Sequence, residues 1–179
     1  MPNLSEKYKR EVVPALQAAF GYKNTMAVPR IVKIVVNTGV GRLREDHQRT
    51  EIQKYLALLT GQRAAARPTK KAIASFKTRE GLVVGYQVTL RGKRMYDFLT
   101  RLADGALPRT RDFKGIALRA VDAQGNLTLG IKEHIIFPEM IGEDYKLIFG
   151  FEATVVTSAH TRAEGIALLR LMGLPLQTE

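Results

Sequence analysis

Cysteine is absent from the 179 residues. That excludes disulfide scaffolds and thiolate metal sites and is compatible with a reducing compartment. Long apolar runs are missing too. Stretches such as Tyr55 to Leu59, Leu82-Val83-Val84 and Leu147-Ile148-Phe149 fall far short of a membrane span, and the opening MPNLSEKYKREVV has no apolar core of signal-peptide length. The chain is therefore expected to be soluble, with no membrane partner. Histidine is scarce: His47, His134 and His160 stand far apart without metal-ligand spacing, and Glu133-His134 lacks the second histidine of a zinc protease. Ser5, Ser75 and Ser158 sit in no nucleophile motif. Glu139, Glu143 and Asp144 read as an exposed acidic loop suited to a basic protein partner, in preference to a metal cluster. No catalytic residue, metal or cofactor is expected.

Acidic charge is short where basic charge is dense. Lys plus Arg number 28 against 17 Asp plus Glu, a net charge of +11. Residues 61–94 hold nine basic residues and one acidic; residues 120–179 hold four and eight. This skew suits a protein that docks one face on a polyanion.

Hydrophobic periodicity gives the elements. Glu6 to Phe20 reads as a helix with Ser5 as N-cap, Val12, Val13, Leu16 and Phe20 at helical spacing, Gly21 as stop and a kink or split at Pro14. Arg30 to Asn37 reads as a strand, with Val32, Ile34 and Val36 on one face and Ile31, Lys33, Val35 and Asn37 on the other. Asp46 to Thr60 is predicted helical on the stripe Ile52, Tyr55, Leu56 and Leu59, stopped by Gly61. A short strand at Ala64 to Arg67 ends at Pro68. Leu82 to Arg91 alternates cleanly, with Leu82, Val84, Tyr86, Val88 and Leu90 on the apolar face. Arg94 to Asp104 is predicted helical with Met95, Phe98, Leu99 and Leu102 inward, ended by Gly105 and Pro108. After the turn Asp122 to Asn126, strands are predicted at Asn126 to Ile131 and Phe151 to Thr157. A helix at Arg162 to Met172 closes the chain, with Thr161 and Glu164 as a capping box. The order implies α+β: one domain over residues 1–179, with a mostly antiparallel sheet, helices packed on one face and a long basic loop.

Three segments invite a functional reading. Pro68 to Gly81 is long for a connection inside a compact domain, and it carries Lys70, Lys71, Ser75, Lys77 and Arg79 around Phe76. Cations there can reach phosphates and the ring can stack on a base. The same pattern fits a solvated loop with Phe76 in the core. Lys33 and Asn37 can share a polar sheet face with Gln87, Thr89 and Arg91, with Gln62 nearby; their amides and hydroxyl suit base edges and riboses. An ordinary solvent-facing sheet gives the same pattern. Asn37-Thr38-Gly39-Val40-Gly41 is a glycine-rich turn between strand and helix. An alternative function as a nucleotide-binding enzyme rests on Gly39 and Gly41, but Arg44 occupies the position of the third glycine and no phosphate-loop Gly-Lys-Ser/Thr occurs.

Ordered blocks run nearly end to end: Val28-Pro29-Arg30, Val35 to Gly41, Leu58-Leu59-Thr60-Gly61-Gln62, Lys70-Lys71-Ala72-Ile73, Phe76 to Gly81, Val88 to Gly92, Leu107 to Phe113, Gly125-Asn126 and Ile136-Phe137-Pro138-Glu139. On these blocks the chain resembles the bacterial-type family of large-subunit ribosomal protein five. The resemblance implies a structural, non-enzymatic protein of the central protuberance that binds 5S rRNA among large-subunit rRNA and neighbouring ribosomal proteins. It implies rRNA contacts at Asn37, Gln62 and Thr89, to which Lys33, Arg67, Gln87 and Arg91 are added from the face. It further implies a basic loop reaching P-site tRNA and a bridge to a small-subunit head protein. Arg67 departs from the small hydroxyl residue that the family often carries there.

Overall fold

Alternation and helical stripes in the sequence are realised as a five-stranded sheet with helices on one side. The computed structural model describes residues 4–43, 45–76, 78–140 and 147–177. The strands are β1 (Ile31–Gly39), β2 (Ala65–Pro68), β3 (Val83–Leu90), β4 (Leu127–Ile131) and β5 (Phe151–Thr157), in the order β2-β3-β1-β5-β4. Every pairing is antiparallel. The helices are α1 (Leu4–Lys7), α2 (Val13–Phe20), α3 (Asp46–Thr60), α4 (Gly92–Thr100) and α5 (Arg162–Leu171).

The first helical stretch is split as the proline predicts. Pro14 lacks an amide hydrogen for the carbonyl four residues back, and its ring crowds that carbonyl. The backbone widens into a π-type turn at Tyr8–Val12, and α2 restarts with Pro14 in its first turn. Helix α1 already begins at Leu4, so Ser5 lies inside it and is not the N-cap expected. Leu16 is buried as read, whereas Phe20 is exposed at the helix end. Helix α3 matches its predicted limits, with Ile52, Leu56 and Leu59 buried and Gly61 closing it at φ 67°. That left-handed angle is open to glycine at little cost. Helix α4 corrects one expectation. Gly105 does not stop the chain, which continues as a wide turn over Arg101–Ala106 and a short 3-10 turn at Leu107–Arg109. Pro138 packs against Gly105 there, where any Cβ would stand 3.6 Å from its ring.

One sheet face and the helices make the core. Ile34, Val36, Val88, Leu90, Leu127, Ala153 and Val155 meet Leu56, Phe98, Leu99, Leu102 and Leu168, all essentially inaccessible. Phe98 and Phe137 stack at 5.9 Å. His134 is fully buried between Phe149, at 4.3 Å between ring centroids, and Tyr55, at 5.4 Å. The Phe149 N–H donates to His134 Nδ1 at 3.4 Å, and burial pushes the imidazole's pKa down. A neutral ring is the form that such a site accepts.

The α5 capping box forms as read: Glu164 N–H donates to Thr161 Oγ1 at 3.3 Å, and Thr161 N–H to Glu164 Oε2 at 3.1 Å. Tyr22 Oη also donates to Glu164 Oε1, tying the segment after α2 to α5. Burial alone would raise the Glu164 carboxyl, but bonds from Tyr22, His160 N–H and Thr161 N–H outweigh it and hold it below its ordinary value. The Tyr22 phenol is pushed up to about 12 by burial and by its bond to Glu164.

Candidate nucleic-acid interface

Among the described residues no helix lies over the second sheet face, where Asn37, Thr128 and Glu152 are exposed, and pairing arranges its side chains in rows. Beyond a register irregularity between Ile31 and Lys33, β1 turns Lys33, Val35 and Asn37 outward. The irregularity reverses the expectation for two neighbours: Ile31 is buried at 4% exposure and Val32 faces out at 42%. A one-residue bulge shifts alternation in this way.

The central row crosses all five strands. Ala65 pairs with Gln87, Gln87 with Asn37, Asn37 with Glu152, and Glu152 with Gly130. A second row follows: Thr89 opposite Val35, Val35 opposite Thr154, and Thr154 opposite Thr128. The Thr128 and Thr154 hydroxyls approach to 3.4 Å. On one side of these rows lies Arg67, opposite Gly85, which in turn faces Gly39. On the other side are Lys33, and Arg91 extending past β3 in extended conformation at φ −140°. Amides and hydroxyls thus occupy the middle and cations flank them.

Two contacts fix the donors. Arg67 Nε donates to Gln87 Oε1 at 2.6 Å, which leaves the Gln87 NH₂ as the donor end of that amide. Gln62 Nε2 donates to the Thr89 carbonyl at 3.3 Å, beyond the Ala65–Gln87 pair where β2 begins. The helix stop at Gly61 delivers Gln62 to the edge of the face. The structure therefore brings together Lys33, Asn37, Gln62, Arg67, Gln87, Thr89 and Arg91. Sequence reasoning missed Glu152, Thr154 and Thr128. Alternation along β5 and β4 points them outward, but only the strand order sets them beside Asn37.

The basic segment continues the β2–β3 hairpin. Thr69 N–H donates to the Leu82 carbonyl at 2.9 Å and Gly81 N–H to the Thr69 carbonyl at 3.1 Å. Ile73 and Thr78 exchange backbone bonds of 3.2 Å each way, and the Thr69 hydroxyl donates to the Arg79 carbonyl. Lys70, Lys71, Ser75 and Arg79 are exposed on this extension. Thr69, Lys70, Lys71, Ile73, Thr78 and Val84 line a cleft of about 520 Å³. Lys77 and the Phe76 ring lie outside the described residues.

The glycine-rich turn is no phosphate cradle. Val40, fully buried, donates its N–H to the Val84 carbonyl at 2.8 Å. Buried Thr38 donates its hydroxyl to the Gly150 carbonyl at 2.7 Å. These groups lock the end of β1 into the sheet, which removes the basis for a nucleotide-binding enzyme at Gly39 and Gly41. Of the acidic group, Glu139 accepts from Arg101 Nη1 at 3.0 Å, and Glu143 and Asp144 lie outside the described residues. Among the described residues no helix is long and apolar enough to cross a membrane.

Comparison with known proteins covers nearly the whole chain. The family model described as ribosomal protein L5 matches residues 24–79, and the model for the C-terminus of the same ribosomal family matches residues 83–176. The two matches meet between β2 and β3, which pair with each other in one sheet. Curated relatives named "Large ribosomal subunit protein uL5" include one from Halothermothrix orenii, 47% identical over 176 residues and covering 98% of both chains. One from Citrifermentans bemidjiense is 49% identical over 178 residues, 99% of both. Another from Malacoplasma penetrans is 48% identical over 173 residues, 96% of this chain and 92% of its own. With both halves matched and such identity over nearly its full length, the chain belongs to the L5 family of ribosomal proteins.

Proposed function

We infer that this protein works as a single RNA-binding unit over residues 1–179, whose open sheet face holds 5S rRNA in the central protuberance of the large subunit. The chain is a structural constituent of the large ribosomal subunit in the cytoplasm and not an enzyme. The observation that carries the finer reading is the uncovered row Gln87–Asn37 beside Thr89, flanked by Arg67, Lys33 and Arg91. Cations neutralise phosphates and release counterions, which supplies salt-sensitive affinity; amides and hydroxyls read bases and riboses and supply register. A regular A-form duplex hides its base edges in a deep groove, so the target is a structured loop. The hairpin extension with Lys70, Lys71, Ser75, Phe76, Lys77 and Arg79 serves P-site tRNA. Other surfaces meet large-subunit rRNA, neighbouring ribosomal proteins and the small-subunit head protein.

The test is the double variant Asn37→Ala plus Thr89→Ala, titrated against transcribed 5S rRNA at several salt concentrations. Both side chains lie on the open face, so the circular dichroism spectrum is expected to stay unchanged. Loss of two hydrogen-bonding groups at about 1 kcal/mol or more each predicts affinity lower by tenfold or more. Wild-type affinity at every salt concentration would remove this face as the binding site.

A further inference from the structure

Glu152 is the only acidic residue in the five strands, and it stands exposed in the central row between Asn37 and Gly130. Among the described residues no ion pair engages it. A carboxylate in the middle of a face that docks a polyanion is repelled by phosphate, so the ligand's backbone has reason to avoid this point. What lies over Glu152 must bring hydrogen-bond donors.

The central row has a direction. Arg67 occupies Gln87 Oε1, so the Gln87 end presents donors. Asn37 presents both a donor and an acceptor, and Glu152 presents only acceptors. Ala65 and Gly130 end the row without a polar side chain, and space is open above Gly130, where a Cβ would meet nothing within 4 Å. Adjacent strands are about 4.8 Å apart, so Asn37 and Glu152 together match the width of one base edge. The Watson–Crick edge of guanine runs acceptor, donor, donor: O6, N1–H, N2–H₂. Adenine, cytosine and uracil do not offer two adjacent donors on this edge. An unstacked base in an RNA loop presents this edge to protein.

We propose that Glu152 is a specificity-determining residue that accepts N1–H and N2–H₂ of an unpaired guanine while Asn37 donates to its O6. This rests on the reading that the open face binds RNA. It adds a base identity that the cations and hydroxyls around the face do not supply.

The experiment uses the full chain, its Glu152→Gln and Glu152→Ala variants, transcribed 5S rRNA and an unrelated structured RNA of similar length. Removing a negative charge from an RNA-binding face raises affinity for any RNA if electrostatics alone governs. The proposal requires the opposite for 5S rRNA: about a tenfold or greater loss in both variants, with affinity for the unrelated RNA unchanged or raised. Inosine, which lacks only N2–H₂, is then incorporated at random guanines to find positions where it weakens binding. Wild-type protein should show an inosine-sensitive guanine, and Glu152→Ala should abolish that sensitivity. Glu152→Gln binding 5S rRNA as tightly as wild type or tighter overturns the proposal. A loss with no inosine-sensitive guanine also overturns it, because the carboxylate would then be serving a ribose hydroxyl. Wild-type protein that fails to prefer 5S rRNA over the unrelated RNA defeats the underlying RNA reading as well, an outcome visible without any variant.

Discussion

Replacing Gly165 by alanine sets two effects of opposite sign against each other. Gly165 lies in the first turn of α5, where alanine is worth up to about 1 kcal/mol over glycine on helix propensity. A Cβ at this position, however, would stand 2.3 Å from Gly125 Cα and 2.6 Å from its carbonyl oxygen, where ordinary contact is 3.4–4 Å. The gap must therefore open by about an ångström or more between two backbones. Neither side yields easily. The turn holding Gly125 is pinned by Asp122 Oδ1, which accepts from Gln124 N–H at 2.9 Å and Asn126 N–H at 2.8 Å. It is also tied to β5, since the Thr157 hydroxyl donates to the Gly125 carbonyl at 3.0 Å and Asn126 Oδ1 accepts from Thr157 N–H at 3.0 Å. On the other side, α5 is held by its capping box and by Tyr22. Overpacking against fixed backbone costs about 1–3 kcal/mol and here belongs at or above the upper end, so the clash wins by roughly 2 kcal/mol. In a protein of this size that lowers the thermal midpoint by about 4–8 °C. Thermal unfolding followed by far-ultraviolet circular dichroism reads the shift. A midpoint equal to or above wild type would mean that helix propensity prevails and that the turn and α5 are not held in contact as described.

Two further outcomes follow from the same structure. Exchanging Lys70, Lys71, Lys77 and Arg79 for glutamine should weaken tRNA binding and flatten its dependence on log salt by up to about 3.6, taking roughly 0.7–0.9 for each phosphate no longer neutralised. Affinity for 5S rRNA should change far less, and equal loss of both in parallel salt titrations would dissolve the division between loop and sheet face. The second concerns acid. Burial lowers the pKa of His134 in the folded protein, whereas in the unfolded chain it sits near 6.5, so below that pH the unfolded state binds the extra proton. The stability due to neutral His134 is thus complete above about pH 6.5 and is lost as pH falls toward its folded pKa. Urea midpoints at about pH 7.5 and 5.5 should differ more for wild type than for His134→Phe, which keeps a ring between Tyr55 and Phe149 but cannot titrate; identical pH dependence in the two proteins would contradict this.

Much of the fold was legible because its signals are local. Helix α3 and strand β5 run over the residues that their apolar spacing predicts, and the Thr161–Glu164 box forms as read. Pro14 splits its helix for a reason contained in one residue. The misreadings arose where a neighbour distant in sequence intervened. Val32 turns outward because β1 pairs irregularly with β5, and Gly105 continues a helical turn packed against Pro138.

The candidate site divides the same way. Residue types and alternation sufficed to nominate Asn37, Gln87 and Thr89 and to locate the basic stretch between residues 61 and 94. These depend on side-chain chemistry and on a two-residue period, both written in the chain. Only the tertiary structure decided that β5 lies against β1, which places Glu152 beside Asn37, and that the Val40 amide in the glycine-rich turn bonds to the Val84 carbonyl. Strand adjacency is a long-range pairing set by how the whole core packs. A local pattern states which way a side chain points but not which other side chain it will stand next to.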